Sequence, residues 1–172
     1  MRLAAILMLA ASLAVQTANA MAAVWKYDEA VEPMTDTKRG FASVASGNEA
    51  LTFQCDGGDQ HQLYAVIRLN EWVGKGSRPI RPLQYRVDSA APKTITAYHN
   101  DKMAIVMNFA QDKDRDTFLA DILPASRLVV RVLTYDNQYY TTTLDISGDK
   151  SAIARAARTC GDQTAPITAT KP

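Results

Sequence analysis

The sequence predicts a mainly β fold: an antiparallel, β-sandwich-like single domain with one internal helix and a C-terminal helix. Three observations carry this. Apolar residues recur at every second position, as in Leu63, Ala65, Ile67, Leu69 and in Leu128, Val130, Val132, Thr134, the period of a half-buried strand. Turn signals such as Ser46-Gly47-Asn48-Glu49 and Asp136-Asn137 fall at hairpin spacing, with no strand–helix alternation to suggest a parallel sheet. Helical spacing occurs in only two places, within residues 112–123 and after Ser147-Gly148. The count expected is seven or eight short strands and two short helices.

Residues 1–20 read as a secretory signal. Arg2 is a positive start, Leu3 to Val15 an apolar run too short to span a bilayer, and Ala18-Asn19-Ala20 a small-residue cleavage site. No cysteine follows that run, which argues against a lipid anchor, and no later run is long enough to cross a membrane.

The β-rich domain is expected over residues 21–161. Val24-Trp25-Lys26-Tyr27 reads as a short strand anchored by Trp25, and Asp28 to Gly40, polar and containing Pro33, as a loop or edge segment. Phe41 to Ser46 is a small-residue strand. Leu51, Phe53 and Cys55 share one face of the next, which forms a hairpin with the strand through Leu63 and Ile67.

Gly74 to Arg81 (GKGSRPIR) is a flexible, locally basic loop. Leu83, Tyr85 and Val87 then point inward, while Arg86 and Asp88 share the outer face as a solvated pair worth under about 1 kcal/mol. Lys93 to Tyr98 is a strand, His99-Asn100-Asp101 a turn, and Met103, Ile105, Met107 and Phe109 alternate after it. Asp112 to Leu123 is the internal helix, with Asp114 and Asp116 at the positive end of its dipole and Pro124 as its stop.

From Ser126 the chain reads as a hairpin, SRLVVRVLTYD and QYYTTTLDI, followed by a helix. Leu144 and Ile146 belong to its inward face with Tyr140 and Thr142, and Ile153, Ala156, Ala157 and Cys160 to the helix face. Residues 162–172 have no period and two prolines and read as a disordered tail.

Composition narrows the function classes. Lys and Arg number 19 against 18 Asp and Glu, and the two sets balance once Arg2 is set aside. That leaves no basic field for nucleic acid, so partners are to be recognised by shape and local pairing. Two cysteines in an exported chain predict one disulfide, Cys55–Cys160, across 105 residues. No cofactor is implied.

Motifs for chemistry are incomplete. Ser147-Gly-Asp-Lys150 has the nucleophile-and-base spacing of serine β-lactamases, but the companion motifs are missing, and Ser147 or Asp149 reads better as a helix N-cap. Asp112-Lys-Asp114-Arg-Asp116 imitates a calcium loop without its glycine or its terminal glutamate. His61 and His99, the only histidines, fall on separate turns, read as exposed, and make no metal site. The balance is against an enzyme. Tyr135, Tyr139 and Tyr140 bracket the Asp136-Asn137 turn, either as an adhesive surface or as cross-strand packing.

Taken in order, the apolar start, Trp25, Glu32-Pro33-Met34-Thr35-Asp36-Thr37-Lys38, Leu51-Thr-Phe-Gln-Cys55, Leu83-Gln-Tyr-Arg-Val-Asp88, Thr143-Leu-Asp-Ile-Ser-Gly148, Ala152-Ile153 and Cys160 resemble a periplasmic protein family associated with type VI secretion, VasI/TagO-like. The resemblance covers about residues 25–161; the early segment is poorer in Ser and paired Asp than is usual, and Leu144 replaces a common aromatic. It implies a non-catalytic accessory protein of the Gram-negative periplasm, with protein partners in the secretion apparatus or near peptidoglycan. It also implies a Cys55–Cys160 bridge and a structural or contact role for Arg86 and Asp88. A second reading, from the residues alone, is a periplasmic inhibitor or immunity protein that plugs an enzyme with the loop at 74–81.

Overall fold

The computed structural model describes residues 22–57, 62–74, 80–106 and 114–161. Nine strands and two helices occur among them: β1 (Lys26–Val31), β2 (Lys38–Ser46), β3 (Glu49–Asp56), β4 (Leu63–Arg68), β5 (Ile80–Val87), β6 (Lys93–Asn100), β7 (Met103–Val106), α1 (Asp114–Ile122), β8 (Arg127–Leu133), β9 (Tyr139–Asp145) and α2 (Ser151–Thr159). The fold is mainly β, with one internal and one C-terminal helix, as the periodicity predicts. All pairings are antiparallel, in one sheet of order β1-β2-β3-β4-β7-β6-β5-β8-β9.

This one sheet curves far enough to bring its last strand near its early ones. β9 packs near β2 and β3 although no ladder joins them. Glu49, at the start of β3, accepts hydrogen bonds there from the Tyr140 hydroxyl (2.6 Å), the Thr142 hydroxyl and the Asn70 N–H (3.3 Å). A buried carboxylate needs such donors to offset its lost hydration, so Glu49 latches the open side.

Both helices pack inside the bend. Phe118 of α1 lies 6.4 Å from Phe53 and 5.0 Å, edge-on, from Tyr85, and Phe53 stacks at 6.2 Å with Trp25. Together with Leu119 and Ile122, Phe118 is fully buried, each such side chain stabilising the fold by roughly 1.5–3 kcal/mol. α1 also carries a buried cation that its periodicity does not reveal: Arg115 donates to Asp116 (2.6 Å) and to the Leu63 carbonyl (3.2 Å). α2 buries Ala152, Ile153, Ala156 and Ala157 against β1, β2 and β3, and Cys160 bonds to Cys55.

Gly40 on β2 lets α2 come this close. A Cβ at that position would stand 2.8 Å from the Ala156 carbonyl and 2.9 Å from Thr159. The start of the chain is tied to the same end of the molecule. Trp25 donates its indole N–H to the carbonyls of Ile146 and Ser147, and the Ala23 N–H bonds Ser147 Oγ.

Several expectations need correction. Asp28 to Val31 belongs to an exposed edge strand, and β2 begins at Lys38, so the loop between them spans only residues 32–37. The turn after β6 lies at Asp101-Lys102 rather than at His99, because Asp101 takes the positive φ (51°) that reverses the chain. His99 is a strand residue and fully buried. β7 has the opposite phase from that expected, with Ala104 and Val106 buried while Met103 and Ile105 stay half-exposed. The signal segment, the tail, His61, Met107, Phe109, Asp112 and loop residues 75–79 lie outside the described residues. No described helix is long and apolar enough to cross a membrane.

Candidate functional site

The clearest surface is built at the β8–β9 turn. Thr134 organises it: its N–H donates to the Gln138 carbonyl (2.8 Å), its hydroxyl to Asp136, and the Gln138 N–H returns to Thr134 Oγ1 (2.9 Å). The hydroxyl holds the Asp136 carboxyl below its ordinary range. Asn137 takes the left-handed conformation (φ 62°), which asparagine tolerates. This fixes where the three tyrosines point.

Tyr135 and Tyr139 point to solvent, 53% and 75% exposed, whereas Tyr140 turns inward to Glu49. That bond, with partial burial, pushes the Tyr140 phenol up to about 12. The three tyrosines therefore divide, two forming surface and one closing the sheet.

A second element completes the surface. Loop residues 69–74 are held by Leu69 N–H to the Lys102 carbonyl (2.7 Å) and Val73 N–H to the Asp101 carbonyl (2.7 Å). The Tyr135 N–H donates to the Trp72 carbonyl (2.9 Å), placing a half-exposed indole beside the turn. Glu71, Trp72, Tyr135, Tyr139 and Tyr140 then surround a hollow of about 390 Å³. The Lys102 ammonium lies 5.7 Å from the Trp72 ring centre and the Arg131 guanidinium 5.8 Å from that of Tyr139, both within cation–π range.

Arg131 links this rim to a larger groove on the outer face of β5, β8 and β9. The groove has a volume of about 530 Å³ and is lined by Gln84, Arg86, Pro92, Val129, Arg131 and Thr141. Arg131 donates from Nε to Thr141 (3.3 Å). Arg86 is exposed, and neither guanidinium has a carboxylate within ion-pair distance among the described residues.

Asp88 is not part of this surface and makes no ion pair with Arg86 among the described residues. It sits past the end of β5 with φ 46°, so the two side chains lose the common face that two-residue strand spacing would give them. Its carboxylate accepts the N–H groups of Ser126 and Arg127 (3.1 and 2.9 Å), and its carbonyl accepts from the Arg127 guanidinium (3.0 Å). Asp88 joins the β5 end to the β8 start.

Ser147 and Lys150 are likewise engaged apart. Ser147 accepts the Ala23 N–H, and Lys150 Nζ donates to the Ala125 carbonyl (2.6 Å), with burial drawing its amine below the ordinary lysine range. The N-cap of α2 is Lys150, whose side chain makes no cap bond, so neither Ser147 nor Asp149 caps the helix as expected; Asp149, one residue earlier, accepts the Ser151 N–H (2.9 Å) in a local turn. Asp114 accepts the Thr96 N–H and Asp116 binds Arg115, so both carboxylates at the start of α1 serve the fold. The described residues contain no group of three His, Cys, Asp or Glu placed to hold a metal ion.

Of the residues singled out from the sequence, the structure brings Arg86, Tyr135 and Tyr139 to one continuous surface. Trp72, Lys102 and Arg131 belong to it and escaped notice. Arg131 carries a signal in the outward phase of β8, where Arg127, Val129 and Arg131 alternate with buried residues; Trp72 and Lys102 join only through the fold. Comparison of the chain with family models, curated proteins and solved structures finds no match.

Proposed function

We propose that this is a non-catalytic, exported accessory protein of the cell envelope that works by binding a protein partner. One observation carries the reading: Trp72, Tyr135 and Tyr139 are exposed together on a rim whose backbone is fixed by Thr134 and by the Tyr135–Trp72 hydrogen bond. Large aromatic side chains bury much surface at low entropic cost, and a rigid frame loses little more on binding. The outer groove extends this rim with two guanidinium groups, arginine being enriched in protein interfaces. The periplasm and a link to type VI secretion enter through the segments that resemble that family and through the apolar, cleavable-looking start of the chain.

The test is affinity capture from an envelope extract with the oxidised protein immobilised, beside a triple variant Trp72→Ala, Tyr135→Ala, Tyr139→Ala. The expected result is a secretion or envelope component retained by the native protein and lost by the variant. Equal retention by both would remove the rim from the function. A single secreted hydrolase as the retained protein would replace the accessory reading with an inhibitory one.

A further inference from the structure

We propose that the groove between Arg86 and Arg131 is a carboxylate-binding site that takes an acidic peptide segment of a protein partner. The inference deepens the binding reading above and rests on it for the presence of a partner. The ladder between β5 and β8 sets Arg86 opposite Val129 and Gln84 opposite Arg131. Arg86 and Arg131 are therefore diagonal neighbours on the outer face, roughly 7–8 Å apart at the backbone. Like charges at such spacing repel, and no described acid compensates them. Lys93 has Asp121, Lys38 has Glu29 and Arg39 has Asp56, yet these two guanidinium groups share a concavity without a counter-charge.

The lining indicates the chemistry of the occupant. Val129 and Pro92 contribute apolar surface, Gln84 and Thr141 add amide and hydroxyl groups, and the two arginines offer forked donors matched to the two oxygens of a carboxylate. Both arginines are held from their own strands, and Arg131 is further fixed against Thr141 and the Tyr139 ring. Because Tyr139 also borders the aromatic hollow, a segment with a carboxylate between the arginines continues onto Tyr139, Tyr135 and Trp72. That combination fits a peptide bearing Glu or Asp beside an apolar or aromatic residue.

The experiment is an NMR titration of the oxidised protein at low salt with an end-blocked hexaglutamate peptide. Hexaglutamine and inorganic phosphate serve as competing probes. The expected result is saturable shifts of the Arg86 and Arg131 Nε–H resonances with hexaglutamate and none with hexaglutamine. Arg86→Gln and Arg131→Gln should each weaken binding about tenfold, in line with the loss of a charge-assisted hydrogen bond. Arg158→Gln, which removes the same charge from the exposed face of α2, should leave it unchanged.

Three results overturn the proposal: equal binding of hexaglutamine, equal weakening by the Arg158 variant, or phosphate saturating the same resonances at lower concentration than the peptide. The first two would show no carboxylate site, and the third a phosphate site in its place. The broader reading fails separately. A partner captured through the aromatic rim and indifferent to both arginine variants would leave the accessory function standing and remove only the carboxylate groove.

Discussion

His99 is the residue that ordinary turn chemistry misplaces, and it has the clearest consequence for behaviour in solution. It is fully buried on β6, and burial, aided by Arg81 and only partly opposed by the Val73 backbone, lowers its pKa from 6.5 to about 4. Between those values the unfolded chain takes up a proton that the folded protein refuses. Stability is therefore complete above about pH 6.5 and declines as pH falls toward 4, by roughly 3 kcal/mol from this group. Urea unfolding from pH 7 to 4 should show this decline, and His99→Leu should flatten it while leaving the part due to carboxylates. An unchanged slope in the variant would place the pH sensitivity elsewhere. Sequence reading failed here because a lone polar residue before Asn-Asp looks like a turn, and only the ladder to β7 shows the strand running two residues further.

Elements with a single buried face were legible; those apolar on both faces were not. The unit β8–β9–α2 follows its pattern: Leu128, Val130, Val132, Leu144 and Ile146 are buried as spaced, and so are Ile153, Ala156, Ala157 and Cys160. β7 reads Met-Ala-Ile-Val, apolar at every position, so alternation leaves two phases open and size favours the wrong one. The smaller Ala104 faces inward with Val106, while Met103 and Ile105 remain half-exposed. Gly40 belongs to the same scale. In the sequence it only closes the polar loop or edge segment from Asp28, but the contact with Ala156 and Thr159 shows that it admits α2. Gly40→Ala should cost about 1–3 kcal/mol through overpacking, read as a lower denaturation midpoint. An unshifted midpoint would mean that α2 yields without strain.

For the whole molecule, composition pointed to one bridge and one β-rich body, both of which the structure contains. The candidate surface was less legible because it draws on the 69–74 loop, Lys102, β5 and the β8–β9 turn, segments brought together only by the sheet order. Arg86 and Tyr139 could be picked out as types, whereas the Arg86–Arg131 diagonal depends on a register that no local pattern encodes. The bridge constrains the largest loop in the chain, so replacing both Cys55 and Cys160 with Ala should lower stability by about 2–5 kcal/mol. Equilibrium unfolding of the oxidised protein and the double variant measures this, and an indistinguishable pair would show that the core alone holds α2 in place. The latching of Ala23 and Trp25 to Ile146 and Ser147 has a further consequence, for time rather than for strength. A chain that emerges amino end first must leave its earliest described residues waiting until Ile146 and Ser147, more than 120 positions later, have appeared. Contacts so distant along the chain make for slow closure, and the sheet cannot bend shut around its helices before the last hairpin arrives.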